Sequence, residues 1–352
     1  MKYKHSVVIG KFLPPHRGHA YMVDTASAFS EKVTLLVYTL EEEPIPGWMR
    51  FDALESHYKG SNVTVKWIEK NLPQEPKGTN EEQKLFWKTW KDQISQDLDS
   101  PIDMVFGSED YVFHLAGDLD ADTSIVATSS RDILPVSGTL LRGDLIKNWE
   151  YLIPEMRTYL RKRICITGVE STGKTTLSRL LSNVMMTEWL PEYGREYVET
   201  MNVKSLISVD FQLIAKEHLK REKQAFDRAR HVLLVDTDPI VTQVFHMMYL
   251  GSRSTELDNL IATSYYDHYI VLPPVIDFVQ DGQRSFEDKR EEHHNLLLSE
   301  LRKWKRSYTI LPETDMRKRI IKSEKIIADL FETSQLANLK TKPHEKILHF
   351  AS

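Results

Sequence analysis

Gly168-Val169-Glu170-Ser171-Thr172-Gly173-Lys174-Thr175-Thr176 is bounded on one side by the apolar run Arg163-Ile164-Cys165-Ile166-Thr167 and on the other by leucines at helical spacing between Thr176 and Val184. Strand, glycine-flanked loop and helix, in that order, form the setting that a P-loop needs. Backbone N–H groups of such a loop, together with the positive end of the helix, cradle phosphate oxygens. Lys174 is positioned to reach β- and γ-phosphates and the Thr175 hydroxyl to sit on Mg²⁺, while Gly168, Glu170, Ser171, Thr172, Gly173 and Thr176 complete an ATP-binding loop. A P-loop follows the first strand of its own sheet, so the roughly 160 residues ahead of it are too many for a decoration and are expected to form a second domain.

The 352 residues suit two domains of ordinary size, each with its own core. A net charge of −5 with both signs interspersed argues against a dedicated nucleic-acid binder. No apolar run approaches the ~18 residues that span a bilayer, and Met1-Lys2-Tyr3-Lys4-His5 leads into a strand rather than a signal peptide. A cytoplasmic protein with no membrane partner is expected. The one cysteine, Cys165, excludes an internal disulfide, and its place in a strand suits a small buried hydrophobe.

In the first domain the strand Ser6-Val7-Val8-Ile9 runs into Gly10-Lys11-Phe12-Leu13-Pro14-Pro15-His16-Arg17-Gly18-His19, and Ala20 to Ala28 reads as a helix. A strand end meeting a helix start is the ligand crevice of a parallel α/β sheet. His16 and His19 both fall at that helix N-terminus, where a protonated ring would offset charge building on a phosphate, and Gly18 admits a close backbone approach. Farther along, Val33 to Thr39, Val63 to Ile68, Asp103 to Phe106 and Ser124 to Ala127 read as strands and Glu81 to Gln96 as a helix. Glu41 to Met49, with two prolines and Gly47, reads as a loop near the site. Trp87 and Trp90 share one helix face, which suits either core packing or stacking on a flat cationic ring. Glu109 follows a strand directly and so belongs at the crevice. Past Pro135, Val136-Ser137-Gly138-Thr139-Leu140-Leu141-Arg142 opens a helix expected to run through Lys147, with Ser137, Thr139 and the first-turn N–H groups on phosphates and Arg142 as a forked cation.

The stretch Gly10 to His19 resembles the G-x-F-x-P-x-H-x-G-H motif of the nucleotidyltransferase superfamily, and Val136 to Arg142 resembles its second motif, I/V-S-x-T-x-x-R. The resemblance implies a Rossmann-like domain in which Gly10, Lys11, Phe12, Gly18, Ser137 and Thr139 hold ATP and His16, His19 and Arg142 act in catalysis. A phosphate would attack the α-phosphorus and pyrophosphate would leave, with positioning and charge stabilisation doing the catalysis.

In the second domain a helix is expected over 208–229 and a strand over 231–235 that runs into Asp236-Thr237-Asp238-Pro239. A carboxylate at the end of a buried strand is where a P-loop protein holds Mg²⁺, here Asp236, and Pro239 suits a helix first turn. Strands are expected over 267–272 and 307–311 and a last helix over 315–331, with Arg284 and Arg290 on a lid able to close over ATP. The order of these parts resembles small-molecule kinases of the nucleoside-kinase type, which need a general base for a hydroxyl. Glu192, Asp236 and Asp238 are the candidates.

A nucleotidyltransferase joined to such a kinase resembles the NadR family, with further matches at Trp48-Met49, Ser108-Glu109, Glu192-Tyr193-Gly194-Arg195-Glu196, Asp236-Thr237-Asp238 with Thr242-Gln243, and Asp281-Gly282 with Arg284-Ser285. That resemblance implies an α/β chain of two domains, a nucleotidyltransferase over 1–153 and a P-loop kinase with a parallel sheet over 154–352. It implies that nicotinamide riboside and ATP give the mononucleotide, and that the mononucleotide and a second ATP give NAD and pyrophosphate. Trp87 would then stack on the pyridinium ring, Glu109 would line the same substrate site, and Tyr193, Arg195 and Phe278 would contact the riboside. Mg²⁺ would be the cofactor, ATP the co-substrate, and a homo-oligomer would be compatible with the family. Some members carry an additional N-terminal helix-turn-helix region; this chain enters its first strand within ten residues, and no DNA-binding domain is expected. Members tend to have arginines just before Trp48, where this chain reads Pro44-Ile45-Pro46-Gly47, which makes Arg50 their substitute. The alternatives are the same two chemistries on another vitamin or riboside, and a nucleotide-sensing regulator with one inactive site.

Overall fold

The structure, a computed structural model, describes residues 2–125, 135–202, 205–278 and 287–332. They form two compact units, one reaching Leu160 and the next running from Arg161 to Leu330. Each has its own five-stranded parallel sheet, so the chain is α/β twice over.

The first unit runs β1 (Tyr3–Gly10), α1 (Arg17–Phe29), β2 (Ser30–Thr39), α2 (Gly47–His57), β3 (Val63–Glu69), α3 (Asn80–Asp97), β4 (Met104–Gly107), α4 (Tyr111–Asp118), β5 (Asp122–Ile125), α5 (Gly138–Gly143) and α6 (Pro154–Leu160). Its strand order is β3-β2-β1-β4-β5. Val7 pairs with Thr34 on one side and with Val105 on the other, so β1 is central and buried on both faces. This is why it reads as a continuous apolar run rather than an alternating one. The order reverses between β1 and β4, and the crevice beyond their C-terminal ends is where such sheets take ligands. Into it feed the segment carrying His16 and His19 and the turn carrying Ser108 and Glu109.

Two elements differ from expectation. α5 stops at Gly143, not Lys147, because the Asp144 carboxylate accepts from Lys147 N (2.9 Å) and begins a separate turn. The segment 41–49 is held rather than loose: Pro46 and Gly47 start α2, and Ile45, Trp48 and Met49 are buried beside it. Proline and glycine read as breakers, yet a helix start tolerates both because its first N–H groups have no intrahelical acceptor.

The second unit runs β6 (Lys162–Gly168), α7 (Lys174–Met185), β7 (Trp189–Leu190), α8 (Tyr193–Met201), α9 (Ser208–Arg228), β8 (Val232–Asp236), α10 (Pro239–Leu250), α11 (Thr255–Thr263), β9 (His268–Leu272), α12 (Arg290–Lys303), β10 (Tyr308–Ile310) and α13 (Met316–Asp329). The order β10-β9-β6-β8-β7 puts β6 at the centre, with Ile166 beside Asp236 and Gly168 beside Leu272. Gly168 has φ +148°, and a Cβ there would meet the Leu272 carbonyl oxygen at 2.3 Å. Only glycine lets the loop leave the sheet at this point. Cys165 is buried among Val235, Val271 and their neighbours, and burial pushes its thiol well above the ordinary range, which suits a packing role. No helix among the described residues is long and apolar enough to cross a membrane.

Candidate active sites

The first unit has a cavity of about 1270 Å³ at the β1/β4 crevice, lined by Gly10, Lys11, Phe12, His19, Trp87 and Glu109 from the first half of the unit, and by Ser137, Thr139 and Arg142 from its end. The two motifs lie over 100 residues apart in sequence, and direct contacts join them. Arg142 donates through Nη1 to the Leu13 carbonyl at 2.6 Å and through Nη2 to Thr139 Oγ1 at 3.2 Å. A Cβ at Gly138 would stand 2.6 Å from that same Leu13 oxygen, so the missing side chain is what allows the approach. Ser137 caps α5, accepting from Leu140 N at 3.1 Å.

The two histidines have different places. His16 is buried and N-caps α1, its Nδ1 accepting from Gly18 N (3.1 Å) and His19 N (3.3 Å), and neither it nor Gly18 lines the cavity. His19 lines it, stacked on His16 at 3.6 Å between ring centroids and edge-on to Phe12 at 4.9 Å. Burial lowers His16 to about 4, and burial followed by repulsion from His16 holds His19 well below the ordinary histidine range. Both rings are neutral near pH 7.

That burial gives a pH expectation. A histidine whose folded pKa is depressed adds nothing unfavourable above the unfolded value of 6.5, and it costs stability as pH falls from there towards the folded value. For His16 alone the loss reaches about 3 kcal/mol by pH 4. In the second unit burial lowers His218 to about 4 and His293 to about 3, but it also raises Glu222 to about 7 and Asp236 to about 6, which acts with the opposite sign. The first unit should therefore unfold first on acidification. Trp48, Trp67, Trp87, Trp90 and Trp149 all lie there and only Trp189 and Trp304 in the second. Tryptophan fluorescence should report a melting temperature falling more steeply between pH 6.5 and 4.5 than a signal from the second unit.

Arg50, the candidate substitute for arginines before Trp48, does not reach the cavity. It is fully buried, pairs with Glu43 and donates to the Lys11 carbonyl at 2.6 Å, while Lys11 closes on Glu43 at 3.1 Å. It fixes the backbone of the Gly10-Lys11-Phe12 segment from behind. Substitution Arg50→Met leaves the buried Glu43 with only the half-exposed Lys11 as its cation, so the cost should stay below the roughly 3–5 kcal/mol of a fully unpaired buried charge. A thermal melt should show that drop, and the double variant with Glu43→Gln should recover part of it. Trp87 also differs from expectation: one face is covered by His114, stacked at 4.5 Å and 16°. A flat ring entering there must use the other face or displace the imidazole.

The second unit has a cavity of about 210 Å³ lined by 170–176, by Glu192, Tyr193 and Arg195, and by His218, Thr237, Phe211 and Tyr249. Lys174 Nζ donates to the Val169 carbonyl at 3.0 Å, and Thr172 Oγ1 to the same oxygen at 2.8 Å. Thr175 Oγ1 donates to Asp236 Oδ2 at 2.6 Å, while Asp236 Oδ1 is buried with no hydrogen-bond partner. Burial is the main reason Asp236 rises to about 6, with Lys174 opposing and Glu192 adding to it. Mg²⁺ is normally held through one or two carboxylates plus substrate phosphates. An orphaned carboxylate oxygen beside a P-loop hydroxyl fits that ion.

The three candidate bases separate. Asp238 spends both oxygens on structure: Oδ1 accepts from Val241 N (3.1 Å) as the cap of α10, and Oδ2 accepts from Tyr269 OH (2.8 Å). It is outside the cavity wall, which corrects its assignment as a catalytic group. Asp236 is reached through Thr175, and Glu192 alone of the three lines the cavity. Phe278 is not in the wall either; Arg290 lies 5.7 Å from its ring and donates to the Ile276 carbonyl at 2.9 Å. Arg284, with Asp281, Gly282 and Ser285, lies outside the described residues.

Sequence reading missed Arg319. It is buried on α13 and donates to the Thr172 carbonyl (2.6 Å) and the Glu313 carbonyl (2.5 Å), bracing the phosphate loop from beneath. No sequence signal marks an arginine on an amphipathic helix as different from its neighbours. Only its contact does so.

A model of the AAA domain family matches residues 163–319. The chain is 25% identical to the trifunctional NAD biosynthesis/regulator protein NadR of Escherichia coli (strain K12), over 92% of this chain and 82% of that protein. The NadR of Salmonella typhimurium (strain LT2) is 24% identical over the same shares. The chain is thus similar to NadR along most of its length. Its fold agrees: a crystal structure of NadR protein in complex with NAD and AMP-PNP superposes with a TM-score of 0.65 at 20% identity, over 92% of this chain and 96% of that one. A NadR structure in complex with NR gives 0.67 at 20% identity over 93% and 96%. The fold of both α/β units is thus that of those structures.

Proposed function

We propose that this protein makes NAD in two consecutive steps, each at its own crevice. The second unit phosphorylates nicotinamide riboside with ATP, and the first transfers the adenylyl group of another ATP to the resulting mononucleotide, releasing pyrophosphate. The observation that carries the proposal is that His19 and Lys174, one from each motif set, stand in the walls of two separate cavities in a chain related to NadR along 92% of its length.

In the second unit the loop N–H groups and Lys174 bind the β- and γ-phosphates, and Glu192 takes the proton of the attacking hydroxyl. Tyr193 and Arg195 line the space for the riboside. Thr175 and Asp236 would hold Mg²⁺, which supplies charge neutralisation on the phosphates when bound. In the first unit Gly10, Lys11, Phe12, Ser137 and Thr139 hold ATP, while His19 and Arg142 face the charge that builds at the α-phosphorus; His16 holds His19 in place. Trp87, with Glu109 in the same wall, offers its open face to the pyridinium ring.

One incubation with nicotinamide riboside, ATP and Mg²⁺ tests the whole reading. The mononucleotide should appear first and NAD with a lag, with one pyrophosphate per NAD. Turnover of another riboside or vitamin in preference, or tight nucleotide binding with no pyrophosphate release, would refute it.

A further inference from the structure

Glu43 lies between β2 and α2, and its two oxygens do different things. Oε2 serves the fold: Arg50 Nη2 and Leu40 N (3.1 Å) both donate to it. Oε1 is buried and accepts no hydrogen bond, and Lys11 Nζ stands 3.1 Å from it in an ionic contact. The Glu43 side chain is 6% exposed and that of Lys11 45%, so the pair has one end inside the protein and the other in the open. Lys11 lines the first unit's cavity, whereas Glu43 and Arg50 do not. An ammonium carries three N–H donors, and one contact with Oε1 leaves the others to whatever enters. The balance of charge matters as much. Arg50, fully buried, already neutralises Glu43, so the positive charge of Lys11 is not cancelled and can act on an anion in the cavity. The neighbouring motif residues supply less: burial keeps His19 neutral, and Arg142 spends Nη1 on the Leu13 carbonyl and Nη2 on Thr139.

We propose that Glu43 is a positioning residue for adenylyl transfer, whose Oε1 holds the Lys11 ammonium at the cavity wall so that the triphosphate of ATP meets a cation already in place. The inference rests on the adenylyl-transfer reading of this crevice and adds to it. A lysine left untethered loses its rotamer freedom when the nucleotide binds; one held by Glu43 has lost it on folding, and binding no longer bears that cost.

A double-mutant cycle separates positioning from support of the fold. The measurement is kcat and KM in NAD formation from the mononucleotide, for wild type, Glu43→Gln, Lys11→Met and the two combined, with melting temperatures recorded. Lys11→Met should lose roughly 10²-fold in kcat/KM for ATP. Glu43→Gln should lose about five- to thirtyfold, mainly through the KM for ATP, while the KM for the mononucleotide stays within about twofold. Once Lys11 is Met, adding Glu43→Gln should cost no more than about twofold. Glu43→Gln leaves Arg50 buried without its anion, so the cycle is repeated with Arg50→Met and Glu43→Gln together in place of Glu43→Gln, which removes both buried charges; the same coupling to Lys11 is expected. A loss by one factor with and without Lys11, or a Glu43→Gln enzyme with the wild-type KM for ATP, overturns the proposal. If wild type forms no NAD from the mononucleotide, the reading of the reaction fails by itself. Lys11 is then followed directly, through the ATP concentration that half-protects it from acetylation by acetic anhydride, read on its peptide by mass spectrometry. A half-protecting concentration at least about fivefold higher in Glu43→Gln sustains the role of Glu43; an unchanged one, or no protection in wild type, overturns it.

Discussion

Lys174→Ala should lower the proposed phosphorylation of the riboside by roughly 10³-fold or more, while the proposed formation of NAD from the mononucleotide should stay within about twofold of wild type. Lys174 Nζ rests on the Val169 carbonyl, 3.0 Å away, at the foot of the helix that follows. Phosphate oxygens arriving in the cradle replace that weak acceptor with a charged one, and the cation stays with the phosphoryl group as charge moves. An interaction that strengthens towards the transition state raises kcat, so alanine should lower kcat more than it raises the KM for ATP. The fold should tolerate the change because the lysine is not a core residue and its hydrogen bond is to a loop carbonyl. Initial rates of the two half-reactions, each started from its own substrate, are the measurement. Loss of both activities in a protein that melts normally would mean that the sites are not independent.

His19→Ala should give the reverse pattern. Adenylyl transfer should fall by about 10²- to 10³-fold, the usual consequence of removing one preorganised donor from a transition-state charge, and riboside phosphorylation should persist. The His16 and His19 rings are stacked at 3.6 Å, and burial keeps both neutral near pH 7. A protonated His19 becomes affordable only beside an anion, so its charge arrives with the phosphates rather than waiting for them. His16→Ala should differ from His19→Ala. It removes the α1 cap as well as the stacking partner, so it should lower the melting temperature, by about 1 kcal/mol in stability from the cap alone, besides slowing adenylyl transfer. Equal rates for wild type and His19→Ala in the adenylyl step would remove this residue from the mechanism.

Much of the molecule was legible beforehand because its elements carry local signals. β1 and β6 are central parallel strands, buried on both faces, and such strands appear in sequence as uninterrupted apolar runs. Each ends in a loop whose residue types suit phosphate, so two crevices could be located from two short stretches. Asp238-Pro239 announced the start of α10 correctly, yet the same cap consumes the carboxylate that had been a candidate base. A capping aspartate and a catalytic one look alike in sequence; what separates them is whether an oxygen is left over.

The sequence by itself determined the number of sheets, the place of both crevices and the phosphate chemistry of each, because backbone geometry at a strand-to-helix junction depends on neighbours in the chain. Tertiary structure alone decided which side chains face those crevices: Arg50 turned inward to Glu43 and Lys11, Arg319 braced beneath Thr172, and His114 laid on Trp87. Whether a charged or aromatic side chain braces, covers or binds depends on what the fold brings within about 3–5 Å of it.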